Sequence, residues 1–406
     1  LALDVGMRHR ADEVTRRPAT CSAHFREPAM RQCDVTDEPA WVREIELRRV
    51  RMPLVRPFRT ALGTDHERDA LVVRIATGSG EGWSECVAPR EPFYASEWVG
   101  GAHAVIREFL GPLLLAEPVS ADGVGARLAA VKGHPMAKAA LETAVLDAEL
   151  RTAGVSLARR LGATRDSVEC GVAVGIADSI PELLDEVAEH VDSGYRRVKL
   201  KVRPGWDVEP VAAFRRRFGD VPLQVDANGS YRLADAPLLG ALDPFDLLLI
   251  EQPLPEDDLA AHAELAGLIE TPICLDESIT SARVARDAIE LGACSVVCIK
   301  PGRVGGYFEA VRVHDVCRER DVAVWCGGML ETGLGRAANL ALAALPGFTL
   351  PGDLSASDRY YARDLTPPFV LDAGCLPVPT GPGIGIAPDP DALRDFTTSV
   401  EVVVRA

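Results

Sequence analysis

The stretch "RRVKLKVRPGWDVEPVAAFRRRFGDVPLQVDAN", residues 196–228, decides the fold. Val198, Leu200 and Val202 alternate with Lys199 and Lys201, which is the two-residue period of a strand. "VEPVAAFRRRFGD" then spaces its apolar residues at three- and four-residue steps, the period of an amphipathic helix. "PLQVDAN" returns to a strand. The unit recurs on both sides: the runs "CGVAVGI", "RRVKLKV", "PLQVDAN", "LLLIEQP", "PICLDES", "SVVCIKP", "VAVWCGG" and "FTLPGDL" begin near residues 170, 196, 222, 247, 272, 295, 322 and 348. Helical patterns such as "PELLDEVAEHVDSG" and "FEAVRVHDVCRERD" lie between them. Eight strands alternating with helices at a period near 25 residues predict an α/β fold, a (β/α)8 (TIM-like) barrel, over residues 166–365.

The flanking sequence has another character. "IELRRVRMPLVRPFRT" and "DALVVRIATGSGEGWSEC" read as antiparallel strands with Gly-rich turns, and "GAHAVIREFLGPLLL" and "MAKAALETAVLDAELRTAG" as helices. They predict an α+β capping domain over residues 41–165. Residues 366–406 are strand-and-turn material expected to pack back on that cap. Residues 1–40 lack periodicity and an apolar signal core, and are read as a disordered leader or a mis-assigned start, with Met30 as a candidate first residue.

Asp and Glu outnumber Lys and Arg by 60 to 44, which argues against nucleic acid or an anionic membrane as partner. No apolar run is read as approaching the ~18 residues of a membrane span. The ten cysteines form no CxxC pair and several sit in apolar runs, as expected for buried free thiols in a reducing, cytoplasmic setting.

Charged residues keep step with the barrel. From Lys201 the intervals to Asp226, Glu251, Asp276 and Lys300 are 25, 25, 25 and 24 residues, so each falls at an equivalent place on strands two to six. Barrel active sites lie at the C-terminal ends of the strands, and these side chains are expected to converge there. Three converging carboxylates call for a cation, and hard oxygen ligands suit Mg2+ or Mn2+, one divalent ion. Each acid alone could instead cap the helix after its strand. Lys201 and Lys300 lie across the barrel from each other. Bringing a lysine from its usual pKa of about 10.4 to near 7 costs roughly 4 kcal/mol. Lys199, the metal and burial are expected to act on Lys201 in that sense, and Arg303 on Lys300. A structural ion pair is the bland alternative. A base on each side of a metal-bound carboxylate suggests removal of the proton α to that carboxylate.

"KLK", "QVDAN", "LLLIEQPL", "ICLDES", "IKPGRVGG" and "WCGGMLETGLGRAANLALAALPGFTLPGDLSASDRYY" resemble the muconate-lactonizing branch of the enolase superfamily, in its o-succinylbenzoate synthase / N-acylamino acid racemase group. The likeness runs from about residue 44 to 390. A lysine base with Mg2+ is this superfamily's known arrangement. The resemblance implies Lys201 as general base, Lys199 as its partner helping to hold the substrate carboxylate, and Lys300 on the opposite face. It implies Asp226, Glu251 and Asp276 as metal ligands. It places Asn228, Met136 and the stretch Gly327, Gly328, Met329 to Glu331 along the substrate pocket, with Phe58 and Arg59 in a mobile lid. Arg90 and Glu91 depart from the usual pattern in a second lid segment.

The resemblance also implies a small-molecule carboxylate substrate and a homo-oligomer. The leading expectation is dehydration of 2-succinyl-6-hydroxy-2,4-cyclohexadiene-1-carboxylate to o-succinylbenzoate in menaquinone biosynthesis, with N-acylamino acid racemisation as the alternative. A Schiff-base lysine aldolase would leave the three carboxylates without a purpose. A non-catalytic barrel would be expected to have lost one of the in-register residues.

Overall fold

The computed structural model describes residues 39–404. The proposed leader therefore lies outside the described residues, except that Ala40 pairs with Val119. Seven parallel strands follow one another in sheet order: Gly171–Val174, Arg197–Lys201, Leu223–Asp226, Ile250–Glu251, Ile273–Leu275, Val296–Ile299 and Ala323–Cys326. They are numbered here as barrel strands one to seven.

The expected eighth strand, "FTLPGDL", is not a regular strand. Phe348 bridges to Val324 of strand seven, and Gly352 to Cys170 beside strand one. Those two parallel bridges close the barrel. Pro351 lies between them and has no N–H to donate, which keeps the segment from forming a continuous ladder. Helices Ile180–Asp192, Val208–Phe218 and Tyr307–Arg318 stand where the three- and four-residue patterns place them. Ser179, Ser281 and Thr332 start three of the barrel helices, each accepting a backbone N–H with its side-chain oxygen.

The N-terminal part forms an antiparallel sheet of Val42–Arg59, Thr64–Thr77 and Glu81–Cys86. The C-terminal strand Thr397–Val404 completes it by pairing with the first of these, Glu44 opposite Val404. Helix Pro135–Ala153 packs beneath the strand Glu81–Cys86. One helical stretch, Val99–Ala116, has the length and composition of a membrane span. This corrects the reading that no run approaches that length. Its Val99, Ala102, Ile106, Leu110 and Leu114 recur at three- and four-residue steps, are buried, and lie on the side that packs on the capping sheet.

Candidate active site

Lys201 pairs with Asp226, and Asp226 with Glu251, across barrel strands two, three and four. The 25-residue interval is thus a statement about register: one period carries the chain through a helix and back to the neighbouring position. Strand five places Cys274 opposite Glu251, so Asp276 lies two residues further on, on the same face. Lys300 follows strand six. All of these side chains and Lys199 are buried. The alternating Val198 and Leu200 are buried too, so strand two is covered on both faces.

Lys199 Nζ lies 2.5 Å from Asp353, 2.9 Å from Glu251 and 3.1 Å from Asp226, and 4.9 Å from the centre of the Trp325 ring. Burial acts to lower its pKa, but the three carboxylates outweigh burial and hold it well above the ordinary range. Lys201 Nζ donates to Asp226 Oδ2 at 2.6 Å and to Asn228 Oδ1 at 2.9 Å. Asn228 in turn donates to Glu277 Oε1 at 2.9 Å, from a left-handed backbone with φ of 44°. Lys300 Nζ donates to Asp276 Oδ2 at 2.6 Å and to the Tyr94 hydroxyl at 3.0 Å. Its pKa is pulled down by burial and up by Asp276, and the carboxylate wins. Gly327 makes room for this lysine, because a Cβ there would come within 2.6 Å of Lys300 Cε.

These contacts correct one electrostatic expectation, that Arg303 brings Lys300 down. Lys199 is committed to three acids. Arg303 stacks on Tyr94, 5.1 Å from the ring centre, and donates to the Glu277 carbonyl. Its charge acts on Asp276 and Glu277, while Lys300 is governed by burial and Asp276.

The donor set suits a hard divalent cation. Glu251 Oε1 and Asp276 Oδ1 are buried without a hydrogen-bond partner. Oxygens of these two acids gather with Cys298 Sγ within 4.8 Å of one another. The gathered set thus holds Cys298 where the sequence points to Asp226. Burial pushes the Cys298 thiol well above its usual pKa, which makes it a poor ligand, and hard cations take oxygen. Asp226 lies outside that gathered set. Its Oδ2 is engaged by both lysines and its Oδ1 by the Asn228 N–H.

Above these groups lies a cavity of about 240 Å3. Lys199, Lys201, Lys300, Asn228, Gly328 and Met329 form its floor and wall. The cap supplies Phe58 and Leu62 from one segment and Arg90, Glu91, Phe93 and Tyr94 from another. The structure does not bring every expected residue there. Arg59 pairs with Asp178 at 2.6 Å instead. Met136 and Glu331 line a smaller adjoining cavity that also touches Lys300 and Met329. Gly327 lies behind the lysine.

Asp353 and Tyr94 were missed from the sequence. Asp353 is the next-to-last residue of the eighth apolar run, 53 residues and so about two periods beyond Lys300, and the same spacing could have pointed to it. Tyr94 comes from the cap and carries no such signal. Asp353 binds Arg197 at 2.7 Å as well as Lys199. Asp353→Ala would leave the buried Arg197 without its carboxylate and take the shortest of three carboxylate contacts from Lys199, and is expected to destabilise the fold by about 3–5 kcal/mol, read as a lower denaturation midpoint. An unchanged midpoint would show the cluster to be energetically idle.

Residues 42–162 match the mandelate racemase / muconate lactonizing enzyme N-terminal domain family, and residues 182–392 the enolase C-terminal domain-like family. An N-succinylamino acid racemase from Amycolatopsis sp is 64% identical, over 87% of this chain and 97% of that protein. An o-succinylbenzoate synthase from Geobacillus kaustophilus is 47% identical, over 86% of this chain and 94% of that protein. A solved enolase superfamily structure from Listeria innocua superposes with a TM-score of 0.87 at 38% identity, covering 90% of this chain and all of its own. With its two domains and its in-register lysines and acids, this enzyme belongs to the enolase superfamily, in the o-succinylbenzoate synthase / N-acylamino acid racemase group.

Proposed function

We propose that the chain removes the proton α to a substrate carboxylate, acting at one site as N-succinylamino acid racemase and as o-succinylbenzoate synthase. The observation that carries this reading is the pair Lys201 and Lys300. Both line one cavity, from strands separated by three others around the barrel. In racemisation, one lysine in its neutral form takes the α-proton from one face and the other, protonated, returns a proton to the opposite face. In dehydration, Lys201 takes the α-proton and returns it to the departing hydroxyl, and water leaves. The identity to an Amycolatopsis N-succinylamino acid racemase favours racemisation as the principal activity, ahead of the synthase reaction first expected.

Lys199, fixed by Asp353, supplies positive charge beside the substrate carboxylate. Asn228 orients Lys201 through the bond to its Oδ1. Enzymes of this superfamily use a divalent metal, and Mg2+ is the ion proposed here. Held by Asp226, Glu251 and Asp276, it would stabilise the enediolate charge and compete with the lysines for those carboxylates, which would lower the raised pKa of Lys300.

The test is kcat/KM for N-succinylamino acid racemisation and for conversion of the cyclohexadiene carboxylate, each with added Mg2+. Values of about 10⁴ M⁻¹s⁻¹ or above for racemisation support the reading. Chelation should abolish both activities, and Mg2+ or Mn2+ should restore them. Absence of both reactions in folded, metal-binding protein would sink the proposal.

A further inference from the structure

We propose that Arg68, on the capping strand Thr64–Thr77, binds the second carboxylate of a dicarboxylic substrate, the one remote from the reacting carbon. This rests on the proposed function and extends it to how the substrate class is chosen. Arg68 is 5% exposed and lines the same cavity as Lys199, Lys201 and Lys300. Its Nε and Nη2 are buried and have no hydrogen-bond partner. A buried guanidinium with unused donors is costly and calls for an occupant.

The nearest acid does not fill that place. Glu85 Oε1 lies 3.7 Å from Nη2, beyond hydrogen-bond reach, and is itself without a partner. Its Oε2 is held toward the barrel by the Thr332 N–H at 2.9 Å and hydroxyl at 2.7 Å. Burial pushes the Glu85 carboxyl up to about 7, so it neutralises the arginine only in part.

The other cations around the cavity are engaged. Lys199, Lys201 and Lys300 hold the acids described above. Arg90 is exposed and pairs with Glu67 at 2.9 Å. Arg68 remains, with the planar fork that suits a carboxylate. It stands on the cap while the reacting lysines stand on the barrel. A substrate gripped at both ends therefore spans the boundary between the domains.

The experiment compares racemisation of N-succinylphenylalanine and N-acetylphenylalanine, which lacks the distal carboxylate, by wild type, Arg68→Met and the double variant Arg68→Met/Glu85→Gln. The double variant removes both buried charges, so neither is left alone. Wild type is expected to prefer the succinyl substrate. Both variants should lose about 10- to 150-fold in kcat/KM on it, mainly through KM, and under about threefold on the acetyl substrate. Arg68→Lys, which keeps the charge but not the fork, should fall between. Equal losses on the two substrates would make Arg68 a structural residue and overturn the proposal, as would a retained succinyl preference or none in wild type. Wild type that racemises neither substrate would instead remove the function on which it rests.

Discussion

Lys201→Ala is expected to lower kcat for racemisation and for dehydration by about 10²–10⁴-fold, the range a positioned general base contributes. The argument is local. Lys201 donates to Asp226 and Asn228 and lines the cavity, and those hydrogen bonds aim its Nζ. Removing it frees Asp226 Oδ2 from one lysine but leaves Lys199 3.1 Å away, so the acid is not stranded as an unpaired buried charge. The fold should therefore survive. A Mn2+ titration should show metal affinity kept or raised, since one competitor for Asp226 is gone. Turnover within a few-fold of wild type in a folded variant would rule out Lys201 as the base.

Lys300→Ala has a more discriminating signature. Racemisation needs a proton acceptor on one face and a donor on the other, so it should fall by a similar ~10²–10⁴-fold. Exchange of the α-hydrogen with D2O needs only one face. The variant should keep exchanging one enantiomer, through Lys201, and lose exchange of the other. Asp276 retains the Tyr94 hydroxyl at 3.1 Å and the nearby Arg303 charge, which keeps the site from collapsing. Exchange of both enantiomers at equal rates in the variant would exclude a two-lysine mechanism.

Much of this site was legible because barrel geometry converts spacing into contact. A residue at position n and one at n + 25 fall side by side when each unit has the same length, and the pairing of Lys201 with Asp226 and Asp226 with Glu251 is that rule in atomic form. The rule weakens where the unit is irregular. The eighth run carries Pro351, forms bridges instead of a strand, and its Asp353 escaped notice although it is among the closest partners of Lys199. It gives no guidance at all on the cap. Phe58 and Arg59 are adjacent in sequence, yet Phe58 faces the cavity and Arg59 leaves it for Asp178, because successive side chains of an extended strand point to opposite sides.

The lysines mark the limit of reading charge from sequence. Burial and a neighbouring cation were expected to depress the pKa values of Lys201 and Lys300. On Lys300 burial does act in that direction, but Asp276 at 2.6 Å outweighs it, and Lys199, the neighbouring cation of the first pair, is itself held up by Asp353 and Glu251 at 2.5 and 2.9 Å. Which effect wins depends on distances that no spacing rule supplies, since Coulomb energy scales inversely with separation and with the local dielectric.

By itself, then, the sequence determined the barrel, the order of its strands and the five charged positions at its mouth, because period and register are local properties repeated along the chain. Only the tertiary structure decided that Asp353 anchors Lys199, that Tyr94 reaches Lys300 from the cap, and that Arg68 stands in the cavity with unused donors. Tyr94 and Lys300 stand 206 positions apart, and Lys199 and Asp353 stand 154 apart; such pairs are set by how the barrel closes and how the cap meets it, not by a pattern along the chain.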